Sequence, residues 1–391
     1  MSDRDLLPGE RLEHYVNKAP FDPYEVEQLT PQQERYYQAS EWRIMWWRFC
    51  RHRVALWSGV FLLALYAMIV ICEFVAPYNL HSRDTSHIYA PPQALHLFHE
   101  GEFVGPFVYG FDFKLNMETL SRDYAANPQK VQPLRFFCRG DSYQFWGLFE
   151  GDLHLFCPAE GGTAFLFGTD RLGRDMLSRI IYGARISLTV ALIAVGISFV
   201  LGVIIGGAAG YFGGFVDALT LRSIEIIRSF PEIPLFMTLS ALLPVTWSPI
   251  GVFAGICVII GFLEWPGLAR AVRAKILSLR EEDFTTAAQL MGASPARIIG
   301  RHLLPSFTSH LIASLSLSIP TAILAETALS FLGIGLRPPV TSWGVVLNEA
   351  QSLNVVEVYP WLMLPVVPLF LVVLAFNFLG DGLRDAADPY K

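Results

Sequence analysis

The sequence predicts an all-α polytopic membrane protein. Composition and the spacing of apolar runs carry most of that prediction. Hydrophobic residues make up 53% of the 391 residues and charged residues only 16%. The 31 glycines raise the apolar share to about 61%, against roughly 45–50% apolar and about 25% charged in soluble domains. A mean hydropathy of +0.40 points the same way. These values argue against a water-soluble enzyme and exclude a disordered chain or a fibrous repeat. The net charge of −6 argues against a nucleic-acid partner.

Six apolar runs are each long enough to cross a core of about 30 Å at 1.5 Å per residue. The first, Val54 to Ala76, is broken only by Glu73. The second, Ile186 to Tyr211, carries no charge. The third, Asp217 to Pro244, holds Arg222, Glu225, Arg228 and Glu232 in its first half. The fourth runs from Ile250 to Leu268, with Glu264 and Pro266 late. The fifth, Ser306 to Leu332, contains Glu326. The sixth is Pro360 to Leu379.

Basic residues orient the runs. Arg43, Arg48, Arg51 and Arg53 precede the first, and Arg270, Arg273, Lys275, Arg280, Arg297 and Arg301 lie between the fourth and fifth. The loop 333–359 has only Arg337. The positive-inside bias then places both termini in the cytoplasm. The expected layout is a cytoplasmic tail over 1–53 with an interfacial belt of Trp42, Trp46 and Trp47. A first span over 54–76 and an outer insert over 77–167 follow, then an interfacial helix over 168–185 that Asp170 can cap. A core of the remaining spans over 186–380 and a tail over 381–391 complete it. Met1 to Pro23 is polar and has no apolar core for a cleaved leader, so insertion is expected to begin with the first span.

The insert is aromatic-rich, with 18 aromatic residues in 78–168. That is enough apolar material for a small folded unit, and its turn residues suggest strands and loops. Cys138 and Cys157 both fall here, on the oxidising side, and a disulfide between them is one expectation. The remaining cysteines, Cys50, Cys72 and Cys257, lie near or within the membrane. No Cys/His cluster has metal spacing. No phosphate-binding glycine loop, metalloprotease helix or nucleophile elbow is present either. The chain is expected to be non-enzymatic, and energy for uphill movement must come from a partner or an ion gradient.

The loop after the fourth span has a legible local grammar. Glu281, Glu282 and Asp283 favour a helix start through the helix dipole. Ala287, Ala288, Leu290 and Met291 continue it. Gly292 can take the left-handed position that ends it. Ser294 and Pro295 suit the cap and first turn of a second helix, and Pro305 opens the fifth span. From the residues alone this is either a docking element or a solvated connector.

The segment resembles the EAA loop of ABC-importer permeases, with Thr286-Ala287-Ala288, Gly292 at the family offset and His302-Leu303-Leu304-Pro305. Thr286 stands where the family has Glu, and His302 where it has Ile. The His-x-Leu-Pro ending looks like the dipeptide/oligopeptide (DppC/OppC) branch. Further matches are Gly168-Thr169-Asp170, Gly173-Arg174-Asp175, Ala325-Glu326 to Gly335 and Leu379 to Asp385 with Asp388-Pro389. The long insert looks like YejE-type permeases.

The resemblance implies a type I importer permease fold and a bacterial inner-membrane location. It also implies a second homologous permease, a cytoplasmic ATPase docked on about 280–305, and a periplasmic binding protein. ATP and Mg would be bound by that ATPase, with no cofactor on this chain and membrane lipid around it.

Three intramembrane features stay open between packing and function. Gly202, Gly206 and Gly210 would let a helix approach closely within the chain or against a second permease. Glu326 is a functional candidate as an intramembrane acid, or it is quietly paired. Arg222 and Glu225 can pair along one helix face near a gate. Oligopeptide import is the leading function; nickel or another small solute, and an ion-driven carrier, are the alternatives.

Overall fold

The computed structural model describes residues 38–117, 121–244 and 246–387. The tail up to residue 37 and the terminal Asp388-Pro389 pair lie outside the described residues. The chain divides into Met1–Met45 and Trp46–Lys391, and the packing below concerns the second unit.

Helix α1 (Glu41–Arg51) carries the exposed Trp42, Trp46 and Trp47. His52 caps α2 (Arg53–Val70), its Nδ1 accepting from Ala55 N at 3.1 Å. Only Ala55, Leu62 and Ile69 of α2 are buried. They recur every seven residues, with Leu65, Tyr66 and Met68 packed beside them, while Val54, Trp57, Val60, Leu63 and Val70 face outward. A bend at Ile71 leads into the short α3 (Cys72–Val75).

The all-α expectation is incorrect for the insert. Strands β1 (His96–His99), β2 (Glu102–Leu115), β3 (Arg122–Phe145) and β4 (Phe149–Pro158) form an antiparallel sheet in sequence order. Density of aromatic residues drives the strands, since such side chains pack well on a pleated surface. The first part of β3 pairs with β2 (Tyr109 opposite Val131) and the second with β4 (Arg135 opposite Cys157). Cys138 and Cys157 are disulfide-bonded across β3 and β4, with Cα atoms 6.2 Å apart.

Helix α4 (Met176–Phe212) is one unbroken run of 37 residues. The expected separate interfacial helix over 168–185 therefore does not exist. Residues 168–175 form a tight turn, and the helix starts at Met176, capped by Asp175 rather than Asp170. The expected third span is also corrected. It is broken into α5 (Gly214–Arg228) and α6 (Glu232–Ala241), and neither helix by itself is among the five segments of the described residues that are long and apolar enough to cross a membrane. Pro231 causes the break, because it cannot donate a backbone hydrogen bond and it biases Phe230 away from helical geometry.

Next come α7 (Pro249–Leu279), α8 (Asp283–Leu290) and α9 (Pro295–Arg297). A π-helical turn (Ile298–Leu303) and a 3-10 turn (Leu304–Phe307) connect α9 to α10 (Thr308–Phe331). Pro305 sits inside this run rather than opening the span, and its missing N–H accounts for the irregular turns. Two short helices follow, α11 (Trp343–Asn348) and α12 (Leu353–Val358). The last is α13 (Val366–Ala387). The expected separate tail from 381 is helical to Ala387. Gly380 and Gly382 seat this helix against Leu317 of α10 and Ala55 of α2.

Leu188, Ile256, Ile260, Ile323 and Val372 centre the membrane core. Within it α4 lies along α7 at backbone distance. A Cβ on Gly202 would sit 2.9 Å from Leu268 Cβ, one on Gly206 2.8 Å from Ala269 Cα, and one on Gly210 2.8 Å from Arg273 O. The glycine stripe is therefore used inside this chain and does not await a second subunit. Gly206→Val is expected to lower the thermal midpoint and membrane yield. Gly196→Val, whose side chain would meet nothing within 4 Å, is expected to leave both unchanged. Fluorescence-detected size exclusion after heating reads the difference.

Candidate functional site: a buried charge knot and an exposed helix-turn-helix

The Gly168-to-Asp175 signature folds into a knot at the sheet end of the molecule. Gly168 (φ +75°) and Gly173 (φ +74°) both occupy the left-handed region. A Cβ at Gly168 would fall 2.7 Å from Ala90 O, and one at Gly173 would run into the backbone of Asp84. Only glycine fits either corner. Between them Thr169 is fully buried; its Oγ1 donates to His87 O and accepts from Ala90 N at 2.7 Å.

The carboxylate of the fully buried Asp170 is the centre. Its Oδ1 accepts from the backbone N–H of Leu172 (2.7 Å) and Arg174 (2.9 Å). Its Oδ2 takes Arg174 Nε and Arg179 Nη1, each at 2.6 Å. Both guanidiniums also reach Glu349 Oε1, at 3.0 and 2.9 Å. Two acids thus meet two arginines, and the cluster is neutral in charge. Glu349 closes α11, so the knot ties the entry of α4 to the loop after α10. Asp175 sits beside it as the helix cap, its Oδ2 accepting from Ser178 N at 2.7 Å. Burial pushes the Asp175 carboxyl up to about 7, against the pull of that hydrogen bond.

Below the knot, Trp343 is wholly buried. Its Nε1 donates to Ile180 O (3.0 Å) and its backbone N to Ser187 Oγ (3.1 Å). Ser187 Oγ in turn donates to Glu326 Oε2 at 2.9 Å, and Ser330 Oγ to Oε1 at 2.8 Å. The intramembrane acid thus joins α4 to α10 through hydroxyls. Glu73 forms a second ionic link, pairing with both Nη atoms of Arg185 at 2.6 and 2.5 Å.

At the other end of the long helices, α8 has its second helix turned back by Gly292 at φ +77°. Ser294 Oγ accepts from Arg297 N, and Pro295 follows as first residue. Thr285 is buried, donating to Leu279 O at 2.9 Å, while Thr286 is exposed. Ala288 packs inward with Ile276, Ile298, Leu303 and Phe307. Only Ala287 of the adjacent alanines faces out. The outward surface carries the exposed Glu281, Glu282, Asp283, Thr286 and Gln289 and ends in an apolar tip, with Leu290 and Met291 each 84% exposed and Phe284 partly so. His302 and Leu304 are half-buried in the returning helix and Pro305 is exposed.

Arg222 and Glu225 do pair, at 2.7 Å, but both are exposed, and such a pair contributes about 0–1 kcal/mol. The tighter link on α5 is Asp217 to Arg273 of α7, a pairing the sequence reading did not make. Glu349 was missed as well. Its only sequence signal was being an acid in an outer loop, 170 or more residues from its partners.

Residues 198–390 match the family model described as binding-protein-dependent transport system inner membrane component. Residues 40–92 match the N-terminal TM domain of oligopeptide transport permease C. The oligopeptide transport system permease protein OppC of Haemophilus influenzae is 43% identical over 233 residues, covering 59% of this chain and 72% of that protein. The chain belongs to this transport-permease family, in its dipeptide/oligopeptide branch. The dipeptide transport system permease protein DppC of Bacillus subtilis is 41% identical over 224 residues, covering 57% and 68%. An inward-facing structure of the MetNI methionine ABC transporter overlaps 55% of this permease and 98% of that chain, at a TM-score of 0.41 and 19% identity. Residues 93–197, which include the sheet and the Gly168-to-Arg179 part of the knot, lie outside both family matches.

Two outcomes follow for the permease. Glu349→Ala leaves two buried guanidiniums sharing one carboxylate, and a loss of about 3–5 kcal/mol is expected, read as a lowered melting midpoint in detergent. The Asp175 carboxyl holds its proton more tightly folded than unfolded (about 7 against 3.8). Its contribution is therefore full in acid and fades as pH rises from about 4 through about 7. Asp175→Asn keeps a capping oxygen and is expected to flatten that part of the stability–pH curve.

Proposed function

We propose that this chain is one transmembrane subunit of an ATP-driven importer of oligopeptides. It forms half of the translocation pathway and has no chemistry of its own. A second homologous permease completes the pathway, and a periplasmic binding protein delivers cargo to the sheet end. Both termini face the cytoplasm of a bacterial inner membrane, the core follows the type I importer plan, and the enlarged insert is of YejE type. A cytoplasmic ATPase, which binds the ATP and Mg, docks on 283–305. Coupling between cargo and ATPase is then a linkage and acts in both directions.

The observation that carries this reading is the apolar tip of α8. Phe284, Leu290 and Met291 project from a short helix whose base is packed into the chain's own core. A helix packed from behind through Ala288 and apolar at its tip has the form of a knob for a groove. Peptide cargo is favoured by the names of the OppC and DppC relatives. Import of nickel or another small solute uses the same scaffold and is separated by cargo screening with the binding protein. An ion-driven carrier would need Glu326, and the hydroxyls around that carboxylate favour a structural role for it instead.

Affinity purification in mild detergent tests the assignment. A nucleotide-binding ATPase and a second permease are expected in the eluate, and a chain that purifies alone would move the ion-driven carrier to the front. Met291→Asp, fully exposed, is expected to leave membrane yield intact but strip the ATPase from the complex. Gly292→Ala should weaken docking too, because a left-handed Ala costs about 1–2 kcal/mol. Retention of the ATPase by Met291→Asp would sink the docking assignment.

A further inference from the structure

The tip of the β3–β4 hairpin is built in an unusual way. Leu148 N donates to Phe145 O at 2.9 Å across a two-residue corner. Both corner residues are left-handed, Trp146 at φ +51° and Gly147 at φ +71°. Hairpins of this kind favour Asn-Gly or Gly-Gly. A tryptophan there is strained, and strain of this sort persists where surrounding contacts hold it.

Those contacts all point to the end of the first span. Trp146 Nε1 donates to Val70 O at 2.9 Å, and its backbone N to Glu73 Oε1 at 3.3 Å. The Arg185 guanidinium stacks 4.3 Å from the indole centre. Val70 is the last residue of α2. Eighteen residues at 1.5 Å per residue span about 27 Å, close to the hydrocarbon thickness of a bilayer. The indole is therefore pinned at the depth where hydrocarbon ends, with its N–H bonded and about half its surface open.

The exposed apolar surface continues on both sides. On the span, Val70 and Ile71 are exposed. On the hairpin, Phe137 packs 6.2 Å from Phe74, and Leu148 and Phe149 are 76% and 69% exposed. We propose that this hairpin tip is a membrane anchor. Trp146 lies in the interfacial layer of the leaflet at the sheet end, and Leu148 and Phe149 contact its lipid. Tryptophan at this depth, apolar body inward and N–H satisfied, is what the bilayer interface favours. The partner is phospholipid rather than protein, because the surface is continuous with the unpacked face of α2. The inference rests only on the chain spanning a bilayer and is independent of cargo and ATPase.

An environment-sensitive fluorescent amino acid in place of Leu148, and separately of Phe149, tests it. The full chain is reconstituted in nanodiscs of phosphatidylethanolamine and phosphatidylglycerol. Lipids carrying a nitroxide near the head group are added as one quencher and iodide as the other. Blue-shifted emission, loss of signal to the nitroxide lipid and protection from iodide are expected for the chain alone. Quenching by iodide with none from the nitroxide lipid would overturn the anchor. Protection that develops only when a binding protein or a second permease is added would also overturn it, in favour of a protein contact. Formation of the Cys138–Cys157 disulfide in each labelled chain checks that the sheet has folded.

Discussion

The Asp170 carboxylate is the point from which the sheet end of the molecule is organised. Two arginines from its own segment reach it, and Glu349 completes their coordination from the loop after α10. Buried charges are costly to desolvate, so a cluster like this survives only when its members satisfy one another. That requirement sets the backbone. Gly168 and Gly173 are glycines because the loop must turn tightly enough to aim Asp170 inward. Asp175 begins the helix because Asp170 is occupied elsewhere. The long helix α4 leaves the knot already fixed in direction, with Trp343 wedged against its first turns and Glu326 hydrogen-bonded to Ser187 a little deeper. Charge satisfaction at one end thus sets the alignment of the core in the membrane.

The parts of this arrangement that were legible in the sequence are those set by local rules. Apolar runs announced the spans. Gly292, Ser294 and Pro295 spelled out the turn after α8, since capping and left-handed closure depend on residues a few positions apart. The parts that were illegible depend on partners far along the chain. Nothing near Asp170 indicates that it will be buried rather than serve as an exposed cap. Glu349 supplies that answer from 179 residues away. The glycines at 202, 206 and 210 signalled close approach without naming α7 as the neighbour. The third run reads as continuous in its apolar content, while Pro231 divides it between two shorter helices.

The insert shows the limit of composition as a guide. Its aromatic richness correctly suggested a folded unit, yet the aromatic side chains do not all enter a core. Phe98, Phe103, Phe136, Phe137 and Phe149 remain largely exposed. The sheet is held to the spans instead by a few polar contacts, chiefly Trp146 to Val70 and Glu73, and His154 Nδ1 to Ala76 O at 2.6 Å.

The close fit of α4 and α7 has a mechanical consequence. Helix α7 has 31 residues, a length of about 46 Å at 1.5 Å per residue, well beyond hydrocarbon thickness, and it ends three residues before α8 begins. Its neighbour meets it through Gly202, Gly206 and Gly210 over three successive turns, close against Leu268, Ala269 and Arg273. The pair is therefore a strut with little slack, and its two ends, one beside α8 and one where α4 is gripped by the charge knot, are parts of one piece.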